Sequence, residues 1–218
     1  MPLDLQSAQR LLVYGGSFDP PHRAHVALPM RAADAVHADG VLYVPAGRPP
    51  HKSGRDLAPA RHRLTMLQLA LIDEPRAAIS EFEVNNSDTS FTLNTLQHLR
   101  RQLGDDVELR LLMGADMAAS FYTWHRPHEI LALVEPLVML RPPMDTDDFL
   151  SQMPDHLSPA DRQAWRARVI ALPSMAISST AIRRELDKSA PDFKIVEQML
   201  NPTVFKYIQD HQLYQTGR

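Results

Sequence analysis

Two histidines, His22 and His25, stand three residues apart shortly after a glycine pair, Gly15-Gly16. On a helix that separation puts both imidazoles on one face. The four residues before the glycines, Leu11-Leu12-Val13-Tyr14, are too few for a helix and suit a short buried strand that ends where the backbone turns tightly. A helix beginning there, with Pro20 or Pro21 in its first turn, offers unpaired N–H groups and the positive end of its dipole. Glycines let a bound group approach the backbone, so Gly15, Gly16, Ser17 and Phe18 with the two imidazoles describe a site for an anion, above all phosphate. Either feature alone has an ordinary explanation, a turn or a structural histidine; helix burial favours neither, and their conjunction points to function.

Other chemistries fail on reading. No Walker A sequence and no G-x-G-x-x-G is present. Gly15 to Asp19 superficially resembles a nucleophile elbow, but G-x-S-x-G needs glycine where Asp19 stands. A zinc site could use two histidines at this spacing, yet the chain has no cysteine and no obvious third ligand.

A second polar cluster lies near the other end of the chain. Ser178, Ser179 or Thr180 can cap a helix, an unexceptional role by itself. The arginines after them are the anomaly: Arg183 and Arg184 are expected in or near the first turn, where the dipole disfavours a cation by about 0.3–1 kcal/mol. A bound anion would reverse that sign. Hydroxyls, free N–H groups and a guanidinium converging there would hold a polyphosphate.

The elements that must position these groups follow from periodicity. Residues 22–38 read as a helix and Val41 to Pro45 as a strand, making a βαβ unit and therefore a parallel sheet with right-handed crossovers. Ligands in such sheets sit beyond the carboxyl ends of the strands. The loop after Pro45 shares that edge and carries Arg48, His51 and Lys52, each able to face an anion. Residues 59–71 read as a core helix. The stretch 77–84 reads as an edge strand with Phe82 and Val84 on one face, and Ser90 as the cap of a helix bearing Leu93, Leu96, Leu99 and Leu103.

Val107 to Met113 is the next strand, followed by Asp116, placed either to accept from ribose hydroxyls or to cap a helix. Trp124 sits among polar residues before a helix start, which suits a partly exposed ring on which a planar pyridine would stack. Residues 135–141 and 168–172 complete the strands. Between them, the acidic stretch 144–166 reads as a surface insertion of one or two short exposed helices, and 177–218 as a C-terminal helical part.

The 218 residues suffice for a single domain, 1–218, with a sizeable core. A formal charge of −3 gives no basic excess for an obligatory nucleic-acid partner. No secretory signal and no bilayer-length apolar run is evident, and the lack of cysteine is compatible with a reducing cytoplasm. Oligomeric state leaves no trace.

Gly-Gly-Ser-Phe-Asp-Pro-Pro-His-Arg-Ala-His resembles the G-G-T/S-F-D-P-x-H-x-G-H signature of the nucleotidyltransferase superfamily, with Ala24 in place of a glycine. Ile177 to Arg183 resembles its I-S-S-T-x-I-R signature without a gap. Ser90 to Leu96 is similar to S-Y-T-x-D-T-L, with Phe91 for Tyr and Asn94 for Asp, and the C-terminus resembles V-x-x-Y-I-x-x-x-x-L-Y. Together these resemble the nicotinate-nucleotide adenylyltransferases over most of the chain outside 144–166.

The resemblance implies a Rossmann-like, doubly wound α/β sheet with helices on both faces. It also implies an enzyme that joins ATP and nicotinate mononucleotide into deamido-NAD and pyrophosphate. It places His22, His25 and Arg183 in catalysis, with Gly15 to Phe18, Asp116, Ser178, Ser179 and Thr180 at ATP. His51, Lys52, Thr92 and Trp124 would attend nicotinate mononucleotide. Magnesium is expected to arrive with ATP, since phosphates supply most of its ligands. Sister transferases acting on nicotinamide mononucleotide or phosphopantetheine, and a non-catalytic nucleotide-binding module, are the alternatives; an aminoacyl-tRNA synthetase-like ligase fits poorly with the charge.

Overall fold

The computed structural model describes residues 3–48, 57–86, 89–140 and 142–215. Six strands, β1 (Arg10–Gly16), β2 (Gly40–Pro45), β3 (Ala77–Ile79), β4 (Glu108–Gly114), β5 (Glu135–Leu140) and β6 (Val169–Ala171), form one sheet in the order β3-β2-β1-β4-β5-β6. Every pairing is parallel. Strand order therefore reverses between β1 and β4, and their carboxyl ends, Gly16 and Gly114, open the crevice where such sheets bind ligands.

Alternation along the strands decides which helix covers which face. Leu11, Val13, Leu42, Val44, Leu109, Leu111 and Met113 pack on one side with α4 (Thr92–Leu103) and α6 (Pro127–Leu133). Leu12, Val41, Tyr43 and Leu112 pack on the other with α1 (Arg23–Ala35) and α2 (Ala60–Ala70). Both faces are thus buried, as a parallel sheet requires.

A third cluster joins Met66 and Ala70 of α2 to Ile182 and Leu186 of α9 (Ser179–Leu186), Val196 of α10 (Phe193–Met199), and Val204, Phe205 and Ile208 of α11 (Pro202–Asp210). This is the C-terminal helical part, docked on the same side of the sheet as α1 and α2. Its α11 is capped by Asn201, whose Oδ1 accepts from the Thr203 amide at 3.0 Å.

Four local expectations are corrected. Helix α1 begins at Arg23 with His22 as its N-cap, so Pro20 and Pro21 precede the helix instead of starting it. The strand expected over 77–84 ends at Ile79, and Phe82–Asn85 form a single helical turn, α3; only Ala77 to Ile79 pair with β2, and alternation beyond them has no neighbouring strand to follow. Ser90 does not cap α4, whose N-cap is Phe91; its hydroxyl accepts instead from the Arg48 amide at 3.2 Å.

The fourth concerns 144–166. It contains two short helices as expected, α7 (Thr146–Ser151) and α8 (Pro159–Ala167), capped by Asp145 and Ser158. They are not merely exposed, because Phe149 and Trp165 are both 0% exposed and belong to the β4–β5 core. Between α4 and α7, the chain also forms α5 (Ala115–Ala119) directly after β4.

Candidate active site

The carboxyl end of β1 leads into the polar loop. Phe18 adopts φ +47, and its buried ring packs edge-on to Tyr14 at 5.7 Å and to the imidazole of His25 at 5.2 Å. A Cβ on Gly16 would meet that ring at 3.0 Å, which explains the glycine there by packing as well as by ligand approach. The His22 and His25 rings stack with centroids 3.6 Å apart and planes 19° apart, and the His22 amide donates to His25 Nδ1 at 3.2 Å. His22 is buried and His25 half-buried. Ala24, where the resembling signature has glycine, is 3% exposed among core residues of α1 and the sheet, so its methyl is absorbed by packing.

The two ends of the polar machinery meet. Arg183 donates from Nη1 to the carbonyl of Asp19 and from Nη2 to the Thr180 hydroxyl at 3.3 Å. The Ser179 hydroxyl donates to the carbonyl of Pro20 at 2.8 Å, while Ser178 caps α9 by accepting from the Ala181 amide at 3.1 Å. The I-S-S-T-x-I-R segment is thereby fastened to the two residues that lead into His22. One expectation about it is corrected. Arg183 and Arg184 lie in the last turn of α9, where the helix dipole favours a cation, so the dipole gives no signal for an anion there. Arg183 is instead engaged with the Asp19 carbonyl and the Thr180 hydroxyl, and Arg184 is exposed.

A residue that sequence reasoning assigned only to the core helix α2 organises the floor of the site. Arg63 is 1% exposed, and its guanidinium donates to three carbonyls: Ala58 at 2.9 Å, Ser17 at 2.8 Å and Gly47 at 3.2 Å. The loops leaving β1 and β2 are held in register by one fork. Burial pulls the Arg63 pKa below its usual value, and Asp19 opposes that pull. A buried position in an amphipathic pattern occupied by arginine was the available signal.

Beyond Arg63 the loop after β2 meets α3 and the residues that lead into α4. Gly47 presses against α3, where a Cβ would come within 2.0 Å of the Glu83 carbonyl oxygen. Glu83 accepts from the Thr95 hydroxyl at 2.6 Å, and burial raises its pKa despite bonds from Thr95, Ser90 and the Gly47 backbone. The Ser90 amide donates to the Arg48 carbonyl at 3.1 Å. Phe91 packs on His125 at 4.5 Å, linking the start of α4, where Thr92 lies, to the segment holding Trp124. Trp124 is half-buried against Phe121, the partly exposed ring that was expected. Asp116 is exposed in the first turn of α5, just past β4, and the cap there is Gly114. His51 and Lys52 lie outside the described residues.

A parallel sheet of order 3-2-1-4-5-6, carrying an imidazole pair at its switch point and a serine, threonine and arginine fastened beside it, defines a nucleotidyltransferase. The cytidylyltransferase-like family model matches residues 13–185. The chain belongs to that family, in its nicotinate-nucleotide adenylyltransferase branch. Relatives carrying that name include one from Thermomicrobium roseum, 36% identical over 95% of this chain and 92% of its own, and one from Chromobacterium violaceum, 33% identical over 94% and 98%. Among solved structures, the nicotinic acid mononucleotide adenylyltransferase of Plasmodium falciparum complexed with NaAD superposes with a TM-score of 0.73. It covers 94% of this chain and 97% of its own at 18% identity, a likeness of fold.

Proposed function

We propose that this chain transfers the adenylyl group of ATP to the phosphate of nicotinate mononucleotide, giving deamido-NAD and pyrophosphate in NAD biosynthesis. The observation that supports the reading is the fastening of Arg183 and Ser179 to the carbonyls of Asp19 and Pro20, which ties the I-S-S-T-x-I-R segment to the loop that leads into the His22–His25 pair.

The attacking phosphate needs no proton removed near neutral pH, so catalysis rests on positioning and charge stabilisation. Backbone N–H groups from Gly15 to Phe18 would meet the reacting phosphate. His22 and His25 would hold the triphosphate as charge builds on the bridging oxygen, and Arg183 with Ser178, Ser179 and Thr180 would retain the departing pyrophosphate. Asp116 is assigned to the ATP ribose, and Trp124 and Thr92 to the pyridine nucleotide, with His51 and Lys52 at its phosphate. Magnesium would travel on the phosphate oxygens; among the described residues no group of three or more His, Cys, Asp or Glu is gathered to hold it.

No helix among the described residues is long and apolar enough to cross a membrane. We place the reaction in the cytoplasm, where ATP is made available and a cysteine-free chain forgoes nothing. The test is direct: incubate the protein with ATP and, separately, nicotinate mononucleotide, nicotinamide mononucleotide or phosphopantetheine, and measure pyrophosphate. Release with nicotinate mononucleotide is expected. Release only with another acceptor, or ATP binding without release, overturns the assignment.

A further inference from the structure

Asp19 lies between β1 and α1 with 1% of its surface exposed, a place where a carboxylate must be held by donors. Its Oδ1 accepts from the hydroxyl of Tyr214 at 2.7 Å and from the Ala58 amide at 3.2 Å, and Arg183 Nη1 stands 3.8 Å from Oδ2. The backbone of the same residue accepts from Arg183, and that of the next, Pro20, from Ser179. Side chain and main chain of one short segment are therefore gripped by two separate parts of the C-terminal region.

Tyr214 reaches Asp19 from 195 residues away because the chain folds back after α11. The Leu213 amide donates to the Ile208 carbonyl at 3.0 Å, while Gln212 and Tyr214 adopt φ +52 and +65. Side-chain-bearing residues hold such conformations only where surrounding contacts over-determine them. The phenol is also kept a donor: burial first, and then the Asp19 charge, raise its pKa above the ordinary tyrosine value. An apolar ring would fill the same space, so what the hydroxyl adds is the bond to Asp19.

We propose that Tyr214 is a positioning residue for the ATP half of the site: through its bond to Asp19 it fixes the segment that Arg183 and Ser179 grip and that leads into His22. The proposal rests on the adenylyl-transfer reading and names a part of its machinery that touches no reacting atom.

Tyr214→Phe retains the ring and removes only the donor. The expected result is an ATP dissociation constant, by calorimetry, and a KM for ATP both raised about tenfold, the scale of a lost hydrogen bond to a charged group. The KM for nicotinate mononucleotide should stay within twofold of wild type, by analogy with independent sites. Because the effect runs through the Asp19 carboxylate, the double variant Tyr214→Phe with Asp19→Ala, which removes the acceptor, should bind ATP no more than about twofold more weakly than Asp19→Ala alone. Unchanged ATP affinity in Tyr214→Phe overturns the proposal, as do equal rises in both KM values or fully additive losses in the double variant. If wild-type protein releases no pyrophosphate with any acceptor, the adenylyl-transfer reading fails, while ATP calorimetry on the same variants still decides the role of Tyr214.

Discussion

Arg183 and Asp19 are 164 residues apart in sequence, yet the guanidinium of one donates to the backbone carbonyl of the other. The same guanidinium reaches the Thr180 hydroxyl, so its fork is fixed before any ligand arrives. A pre-aimed cation loses little freedom when an anion binds, which is how positioning lowers a barrier without acid–base chemistry. Arg183→Ala should therefore lower kcat/KM for ATP by about 10²-fold, in the range of one charge-assisted donor. Arg183→Lys should recover only part, because an ammonium cannot reproduce the fork. Steady-state pyrophosphate release checks both, and wild-type kinetics in Arg183→Ala would remove this residue from the site.

The proposed reaction sets His25 on the other side of the triphosphate. Its ring is stacked on His22 and wedged against Phe18, so truncation deletes a donor without opening the core, since the position is only half-buried. His25→Ala should lower turnover by about 10²-fold or more while leaving the affinity for nicotinate mononucleotide nearly intact. Titration calorimetry with the mononucleotide, beside turnover, separates the two effects; equal losses in both would mean that the imidazole organises the whole pocket and does not act on ATP alone.

How far the sequence disclosed this site follows from which interactions are local. The apolar runs from Leu11, Val41, Val107 and Glu135 are short-range patterns, and each proved to be a strand in the parallel sheet. The His22–His25 spacing is equally local, but the rings meet differently from the helical face expected: His22 is the extended N-cap of α1, and its amide donates to His25 three residues on. Arg63 illustrates the opposite case. Its three acceptors, Ala58, Ser17 and Gly47, include two brought near only by tertiary folding, so its helix showed an amphipathic pattern and nothing of the fork. Arg183 was singled out by a dipole argument that does not hold, since it lies in the last turn of a short α9, and its bond to the Asp19 carbonyl joins distant parts of the chain that no local pattern reveals. Phe149 and Trp165 were hidden by their acidic neighbours, since charge along a helix reports only its outer face.

Arg63 yields a stability prediction. Arg63→Met keeps most of the buried volume but strips donors from three carbonyls and removes the cation that faces Asp19. Three buried acceptors left without donors should together destabilise the fold by about 3–5 kcal/mol. Arg63→Lys should fall between variant and wild type, because one ammonium cannot span the loops after β1 and β2. Urea denaturation measures the difference; a loss below about 1 kcal/mol in Arg63→Met would show that those loops hold their register by other contacts.

Glu83 gives the fold a dependence on pH whose sign can be worked out. Burial raises its folded pKa above the ordinary carboxylate value of 4.5, although bonds from Thr95, Ser90 and the Gly47 backbone pull the other way. Below pH 4.5 the carboxyl is protonated folded or unfolded, and its contribution to stability is complete. As pH rises through the folded value, the native state must surrender a proton that it holds more tightly than the unfolded chain does, and that contribution is lost. Glu83→Gln cannot titrate, so the melting temperature of the variant minus that of wild type should become more positive between about pH 4 and pH 7. For a chain of this length each kcal/mol is read as about 2–4 °C, which a series of melts in matched buffers resolves. A difference that stays flat would mean that the bonds from Thr95, Ser90 and Gly47 cancel burial, and one that becomes more negative would mean that they outweigh it and that the carboxylate is the preferred native form.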